Sequence, residues 1–574
     1  MFDVVIRGGK VIDGSGGAPG VADVAIEGGR IAEVGADVGG AKREIDASGL
    51  LVTPGFVDVH THYDGQVSWD PYITPSSFHG VTTVVMGNCG VGFAPVRPDT
   101  FEWLIALMEG VEDIPGSVLS EGIDWAWEGF PAYLDAIERI PHAIDFAAQL
   151  PHAALRAYVM GERGADHTEA PSADEIAEMA RLASEAVTAG ALGFTTSRTV
   201  NHRASDGRLT PTLTATFDEL RGIARGLRSA NAGVIELVAD FDDLETEFAM
   251  LRRVAEECGR LISISILQDI EDPEKWKRLL ALISDACAAG VPMRGQVSTR
   301  PVGAMLSLHS WLHPFMGVPS FRKIEGRPHA EIVRALGDPT LRAAILAEHA
   351  EATGAANVEN TIITGFSHMF ELGDPPEYYP SPEASVAARA RRDAVPPAQL
   401  ALDLLLLNGG TQPLYVPVKN YAEFNSDVTQ AMLEHPHTVP GLGDGGAHCT
   451  IISDASFPTT LLSHWGRDHR DPLPLEWLVK RHTNDTASLV GLGDRGRLEP
   501  GLRADVNLID FDALQVLPPR MVADLPAGGK RLLQRAEGYR ATLVAGEVVF
   551  EDGEPTGALP GTLVRGARGP LGPS

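Results

Sequence analysis

The sequence is short of positive charge. Its 47 lysines and arginines stand against 77 aspartates and glutamates, a formal net charge of −30. Such a field repels nucleic acid and anionic membrane, so neither is expected as a partner, and an anionic substrate needs a local cation to hold it. Cysteine is scarce as well. Cys89, Cys258, Cys287 and Cys449 are scattered along the chain, suggest no disulfide framework, and make a reducing cytoplasm the expected compartment. No apolar run approaches membrane-spanning length, and Met1-Phe2-Asp3-Val4-Val5-Ile6-Arg7 lacks the basic flank and apolar stretch of a secretory leader. Internal repeats and low-complexity segments are missing too.

What is present is the composition of a large globular protein: 574 residues, 44% hydrophobic, with 61 glycines and 40 prolines marking many turns. From Phe2 to about Thr53 the chain reads as short β-branched strands punctuated by glycine, with Gly28-Gly29 signalling a hairpin. These glycines are no phosphate loop, because no helix follows them. The same texture returns in Ala504–Asp510 and Ala541–Phe550. Between the ends, apolar strands alternate with amphipathic helices. Strands are expected at Phe56–His62, Thr82–Asn88, Ile144–Leu150, Ala191–Thr196, Val234–Ala239, Leu261–Leu267, Pro292–Ser298 and Thr438–Gly443. A helix is expected over Ala173–Ala189, behind a Ser172 cap with Glu175 three residues on.

Eight strands with helical crossovers predict an α/β fold, a distorted (β/α)8 TIM-like barrel with chemistry at the carboxyl ends of its strands. The expected organisation is residues 1–54 and 491–574 as the two parts of a small β-sandwich domain, with the barrel over 55–490. An insertion at about 300–437 interrupts the barrel and is expected to form a folded lid or subdomain.

Candidate chemistry begins at Pro54-Gly55-Phe56-Val57-Asp58-Val59-His60-Thr61-His62. Residues two apart in a strand share a face, so His60 and His62 present both imidazoles on one side, a pair that suits zinc. Solvated histidines at a strand edge are the alternative. Cys89, in Gly87-Asn88-Cys89-Gly90 after the second strand, is an inert buried thiol or a ligand. Asp444 follows the eighth strand between glycines, where a carboxylate makes an Asx-turn or moves a proton. His448 lies one turn further on and either orients Asp444, touches substrate or is structural. Arg300, after the seventh strand, has the planar fork that grips a substrate carboxylate, with a salt bridge as the alternative. Arg198, His202 and Arg203 after the fourth strand belong to the same class at lower weight.

The opening motif, together with Thr82-Thr83-Val84-Val85-Met86-Gly87-Asn88-Cys89-Gly90 and the closing strands, resembles the amidohydrolase superfamily and within it the D-aminoacylase-like branch, the N-acyl-D-amino-acid deacylases. The resemblance implies one or two divalent ions, most simply zinc, on His60, His62 and Cys89, with Asp444 as general acid and base. It also implies a pocket-shaping role for His152. The chain departs from the family in the middle. The fifth strand, Val234–Ala239, and the sixth, Leu261–Leu267, carry no histidine where the family holds its tight ion, and the fourth carries no lysine. Glu236, Asp240 and Gln268 are the candidate replacements.

The expected activity is therefore metal-dependent hydrolysis of a C–N amide bond, most simply deacylation of N-acyl-D-amino acids. Hydrolysis of another linear or cyclic amide, or a non-catalytic binding barrel, are the alternatives. A small-molecule amide is the expected partner, with self-association left open.

Overall fold

The structure, a computed structural model, describes residues 1–98, 100–352 and 362–567. Residues 353–361 of the expected insertion and the last residues, 568–574, lie outside those described.

The chain folds as a mixed α/β protein. Strands Phe56–Thr61, Val81–Met86 and Asp145–Ala148 pair in parallel in that order. Leu150–Pro151 continues the third strand after one residue and begins a second parallel sheet, through Gly193–Arg198, Val234–Ala239, Ile262–Ser265, Met293–Val297 and Thr438–Pro440. The last strand returns to the first. The His62 N–H donates to the Gly445 carbonyl at 2.7 Å, and the Asp444 N–H donates to the His60 carbonyl at 3.2 Å. Those two bonds bring the outlet of the eighth parallel strand onto the outlet of the first.

Local sequence accounts for the connecting helices. Ala173–Ala189 begins at a capping box in which the Ser172 side chain accepts from the Glu175 N–H and Glu175 reciprocates. Thr216 and Asp243 cap Phe217–Ala230 and Leu244–Cys258 more simply, their side chains accepting the Glu219 and Thr246 N–H. Each helix buries one stripe against the strands, and the parallel strands are buried on both faces, as crossover connections require.

The two ends of the chain meet in one sheet of nine strands. Val506–Ile509 runs antiparallel between Leu51–Pro54 and Tyr539–Val544, so C-terminal residues complete an N-terminal sheet. The Gly28-Gly29 hairpin forms as expected, joining Gly20–Glu27 to Arg30–Gly35 with both glycines at positive φ. Within the insertion, Val302–Leu306, Phe370–Glu371 and Leu414–Lys419 form an antiparallel sheet over a separate apolar core that includes Phe315, Ile345 and Leu402. Helices Val386–Asp393 and Pro397–Leu405 lie in this segment. Asp427–Glu434, at its end, instead packs against Met293–Val297 and Thr438–Pro440 as a crossover helix.

Candidate metal and catalytic site

The first parallel strand delivers His60 and His62 to one place. Their rings lie edge to face with centroids 5.6 Å apart, and both side chains are buried. The second strand delivers Cys89 through a sharp turn. Gly87, Cys89 and Gly90 all adopt positive φ, at 87°, 55° and 70°. Gly90 must be glycine, because a Cβ there would stand 2.8 Å from the Thr196 Cα. Buried polar groups hold the turn. Asp64 accepts the Gly87 N–H at 3.0 Å, the Asn88 amide donates to the Thr61 and Val85 carbonyls, and Glu236 accepts the Cys89 N–H at 3.2 Å.

The three candidate ligands converge. His60, His62 and Cys89 each offer one donor atom, and the three atoms lie within 4.8 Å of one another. Cys89 Sγ is 3.4 Å from His60 Nε2. Asp444 Oδ1 lies 3.3 Å from His60 Nε2 and 3.6 Å from His62 Nε2, so both Nε2 atoms face the carboxylate. Asp444 itself sits at φ +47°, in a left-handed region that non-glycine residues seldom occupy. The loop around it, with Gly445 and Gly446 following, supplies that conformation.

The opposite edges of the two rings have their own partners. His60 Nδ1 is 2.9 Å from Gln296 Oε1, and the Gln296 amide donates to Ser263 Oγ at 3.0 Å. A neutral His60 that donates from Nδ1 presents its Nε2 lone pair to the site. His62 Nδ1 faces Glu112 Oε1 at 3.4 Å.

Charge in this pocket is one-sided. Burial, with the Asp444, Asp64 and Glu236 carboxylates nearby, pushes the Glu112 carboxyl well up. Burial also raises Asp58 to about 7 and raises Glu236. The Cys89 thiol is pushed up by burial and by the Glu236, Glu112 and Asp444 carboxylates. Burial opposes charge on His62 and lowers it to about 4, despite Asp444. Asp444 goes the other way: burial would raise it, but the His62 and His60 imidazoles hold it well below the usual carboxylate range. Two imidazoles and a sulfur whose donor atoms converge form a donor set that fits a zinc ion, and such an ion reverses the cost of a thiolate at Cys89.

The other sequence-derived candidates divide between the edge of this cluster and the surrounding framework. Arg300 is fully buried. It donates to Asp454 at 3.0 Å, to Ser456, to Thr460 and to the Ser453 carbonyl, and it stacks 3.7 Å over the Tyr378 ring. His448 stands at the rim, its Nε2 3.8 Å from Glu112 Oε2. His152 is buried between Thr196 and Glu219, away from the ligands, and Arg198 pairs with Glu247. His202 is partly buried and faces the cluster: it bonds Ser197 through Nδ1, and burial together with the His62 and His448 imidazoles lowers it to about 3 despite Asp444, while Arg203 is exposed. Of the three proposed replacements for the family's histidines, Glu236 alone reaches the cluster, as acceptor for the Cys89 N–H and 3.8 Å from His60 Nδ1. Asp240 accepts the Val200 N–H, and Gln268 bonds Asn420 and Glu423.

Two residues at the site were not foreseen. Gln296 carried a signal, as a polar residue inside a buried strand. Glu112 ends helix Phe101–Glu112, and nothing in its sequence neighbourhood distinguishes it.

Comparisons with known proteins agree with this architecture. A model of the amidohydrolase family matches residues 43–550. The D-aminoacylase of Alcaligenes xylosoxydans xylosoxydans is 28% identical over 571 residues, covering 98% of this chain and 97% of that protein. A solved D-aminoacylase with a binuclear metal centre matches at a TM-score of 0.65 and 24% identity, covering 99% of this chain and all of the other. An N-acyl-D-glutamate deacylase from Bordetella bronchiseptica, solved with zinc and a phosphonate inhibitor, matches at 0.63 and 24%, covering 98% of this chain and 99% of that one. At those identities the two structures speak for the fold.

Proposed function

Because the chain belongs to the amidohydrolase family and is a hydrolase of carbon–nitrogen bonds other than peptide bonds, we propose that it removes the acyl group from N-acyl-D-amino acids with a divalent ion, most simply zinc, held by His60, His62 and Cys89. The observation that carries this reading is the convergence of those three donors beside the Asp444 carboxylate. The D-aminoacylase relative named above supports the substrate class. The same reading takes the parallel strands as a distorted (β/α)8 barrel, residues 1–54 and 491–574 as one small β domain, and the insertion at about 300–437 as a folded lid or subdomain.

A divalent ion held there supplies Lewis acidity toward the substrate carbonyl and the attacking water. The protein does the rest. His60 turns its Nε2 lone pair inward because Gln296 faces its Nδ1 edge. Asp444, ionised beside two imidazoles, takes the proton that water gives up as it attacks the acyl carbon. It returns that proton to the leaving nitrogen, which departs as the free amine.

A second reading, hydrolysis of a neutral or cyclic amide, is favoured by one observation. Arg300 and Arg531 give their guanidiniums to protein acceptors, Arg531 to Asp524 and Thr74. A panel of N-acyl-D- and N-acyl-L-amino acids against cyclic imides, assayed with zinc-loaded protein, separates the two. Turnover confined to the cyclic compounds would replace the first reading by the second.

A further inference from the structure

Helix Phe101–Glu112 ends inside the site. Its last residue, Glu112, is buried, and the next, Asp113, turns the chain away at φ +51°. Glu112 Oε1 has no hydrogen-bond partner, and neither ring nitrogen of His62 has one. The carboxylate oxygen and His62 Nδ1 face each other at 3.4 Å, a few tenths of an ångström, roughly, beyond hydrogen-bond length. The other oxygen lies 3.8 Å from His448 Nε2.

The helix end also clamps the loop that carries Asp444. The Glu112 carbonyl accepts the His448 N–H, and the Asp113 carbonyl accepts the Cys449 N–H at 3.3 Å. The Asp113 side chain then takes the Thr450 N–H and hydroxyl, and the Trp311 indole from the insertion. One helix terminus thus touches a candidate ligand, the loop of the candidate acid–base residue, and the insertion.

We infer that Glu112 is the positioning residue of this centre: its carboxylate accepts the Nδ1–H of His62 and so turns the Nε2 lone pair towards Cys89 and Asp444. The inference rests on the reading of His62 as a metal ligand. A buried carboxylate with an unsatisfied oxygen and a buried imidazole with unsatisfied nitrogens are each costly alone, and facing each other they remove that cost. Glu112 does for His62 what Gln296 does for His60.

The test is metal binding, with no substrate involved. Apo protein prepared with dipicolinate is titrated with zinc, and separately with cobalt(II) for its visible spectrum, as wild type, Glu112→Gln and Glu112→Ala. Glu112→Ala is expected to bind zinc about 10–100-fold more weakly, with shifted cobalt bands, and Glu112→Gln, which keeps an accepting amide oxygen, to bind zinc more tightly than Glu112→Ala. Wild-type affinity and an unchanged cobalt spectrum in folded Glu112→Ala overturn the role of Glu112. Where Glu112→Ala fails to fold, Glu112→Leu, which fills the space without an acceptor, decides by the same criteria. A wild type that binds neither metal overturns the metal reading instead, so the two failures are distinct.

Discussion

Asp444 Oδ1 stands 3.3 Å from His60 Nε2, on the side of the ring that also meets the Cys89 sulfur. The candidate proton-transfer group and the candidate ligands therefore share one small volume. Their roles separate by substitution. Asp444→Asn is expected to keep zinc while kcat falls about 10²–10⁴-fold, the usual worth of a positioned general acid–base group. Elemental analysis beside steady-state kinetics checks this. Loss of zinc in Asp444→Asn would make Asp444 a ligand instead.

His60→Ala and Cys89→Ser are expected to lose zinc during purification and activity with it. In the wild type, zinc at a hundred times its dissociation constant is expected to stabilise the fold by about 2.7 kcal/mol over the chelated protein. Denaturant midpoints with and without the chelator measure the difference. Equal midpoints, with zinc bound in His60→Ala, would place the ion elsewhere.

The Arg300–Asp454 pair predicts a stability phenotype. Both side chains are essentially inaccessible to solvent, and removing one leaves the other charge buried. Arg300→Met is expected to destabilise the protein by about 3–5 kcal/mol, with KM unchanged for whatever substrate is accepted. A raised KM at wild-type stability would restore Arg300 to the binding site.

His482 predicts a pH effect outside the metal centre. It is buried against Phe56 with neither ring nitrogen hydrogen-bonded, and burial lowers it to about 3. The folded state thus keeps it neutral, while the unfolded chain binds a proton below about 6.5. Its contribution is intact above pH 6.5 and is lost as pH falls towards 3, at up to about 1.4 kcal/mol per pH unit. Buried acids such as Asp64, which burial raises to about 7, act in the opposite sense. The measurement is therefore a comparison: between pH 7.5 and 4.5 the urea midpoint of wild type is expected to fall relative to that of His482→Leu on acidification. Parallel curves would contradict the buried neutral imidazole.

The sequence alone determined the features that depend on near neighbours. Alternating apolar runs located the parallel strands, with Val234–Ala239 correct to the residue and most others displaced by one or two. Ser172 and Glu175 marked a helix start because a capping box is complete within four residues. The two-residue spacing of His60 and His62 put both rings on one face because a strand repeats every two residues. Tertiary structure decided the remainder. Gln296 meets His60 across 236 residues of chain, and Glu112 reaches His62 because a helix ends where the loop after the eighth parallel strand passes. Arg300 was legible as a cation near a strand end, but whether it met substrate or Asp454 depended on which loop packed over it. Periodicity and capping are properties of a short segment; a partner for a buried charge is supplied by whatever else the fold brings within a few ångströms, and that is set only when distant segments pack.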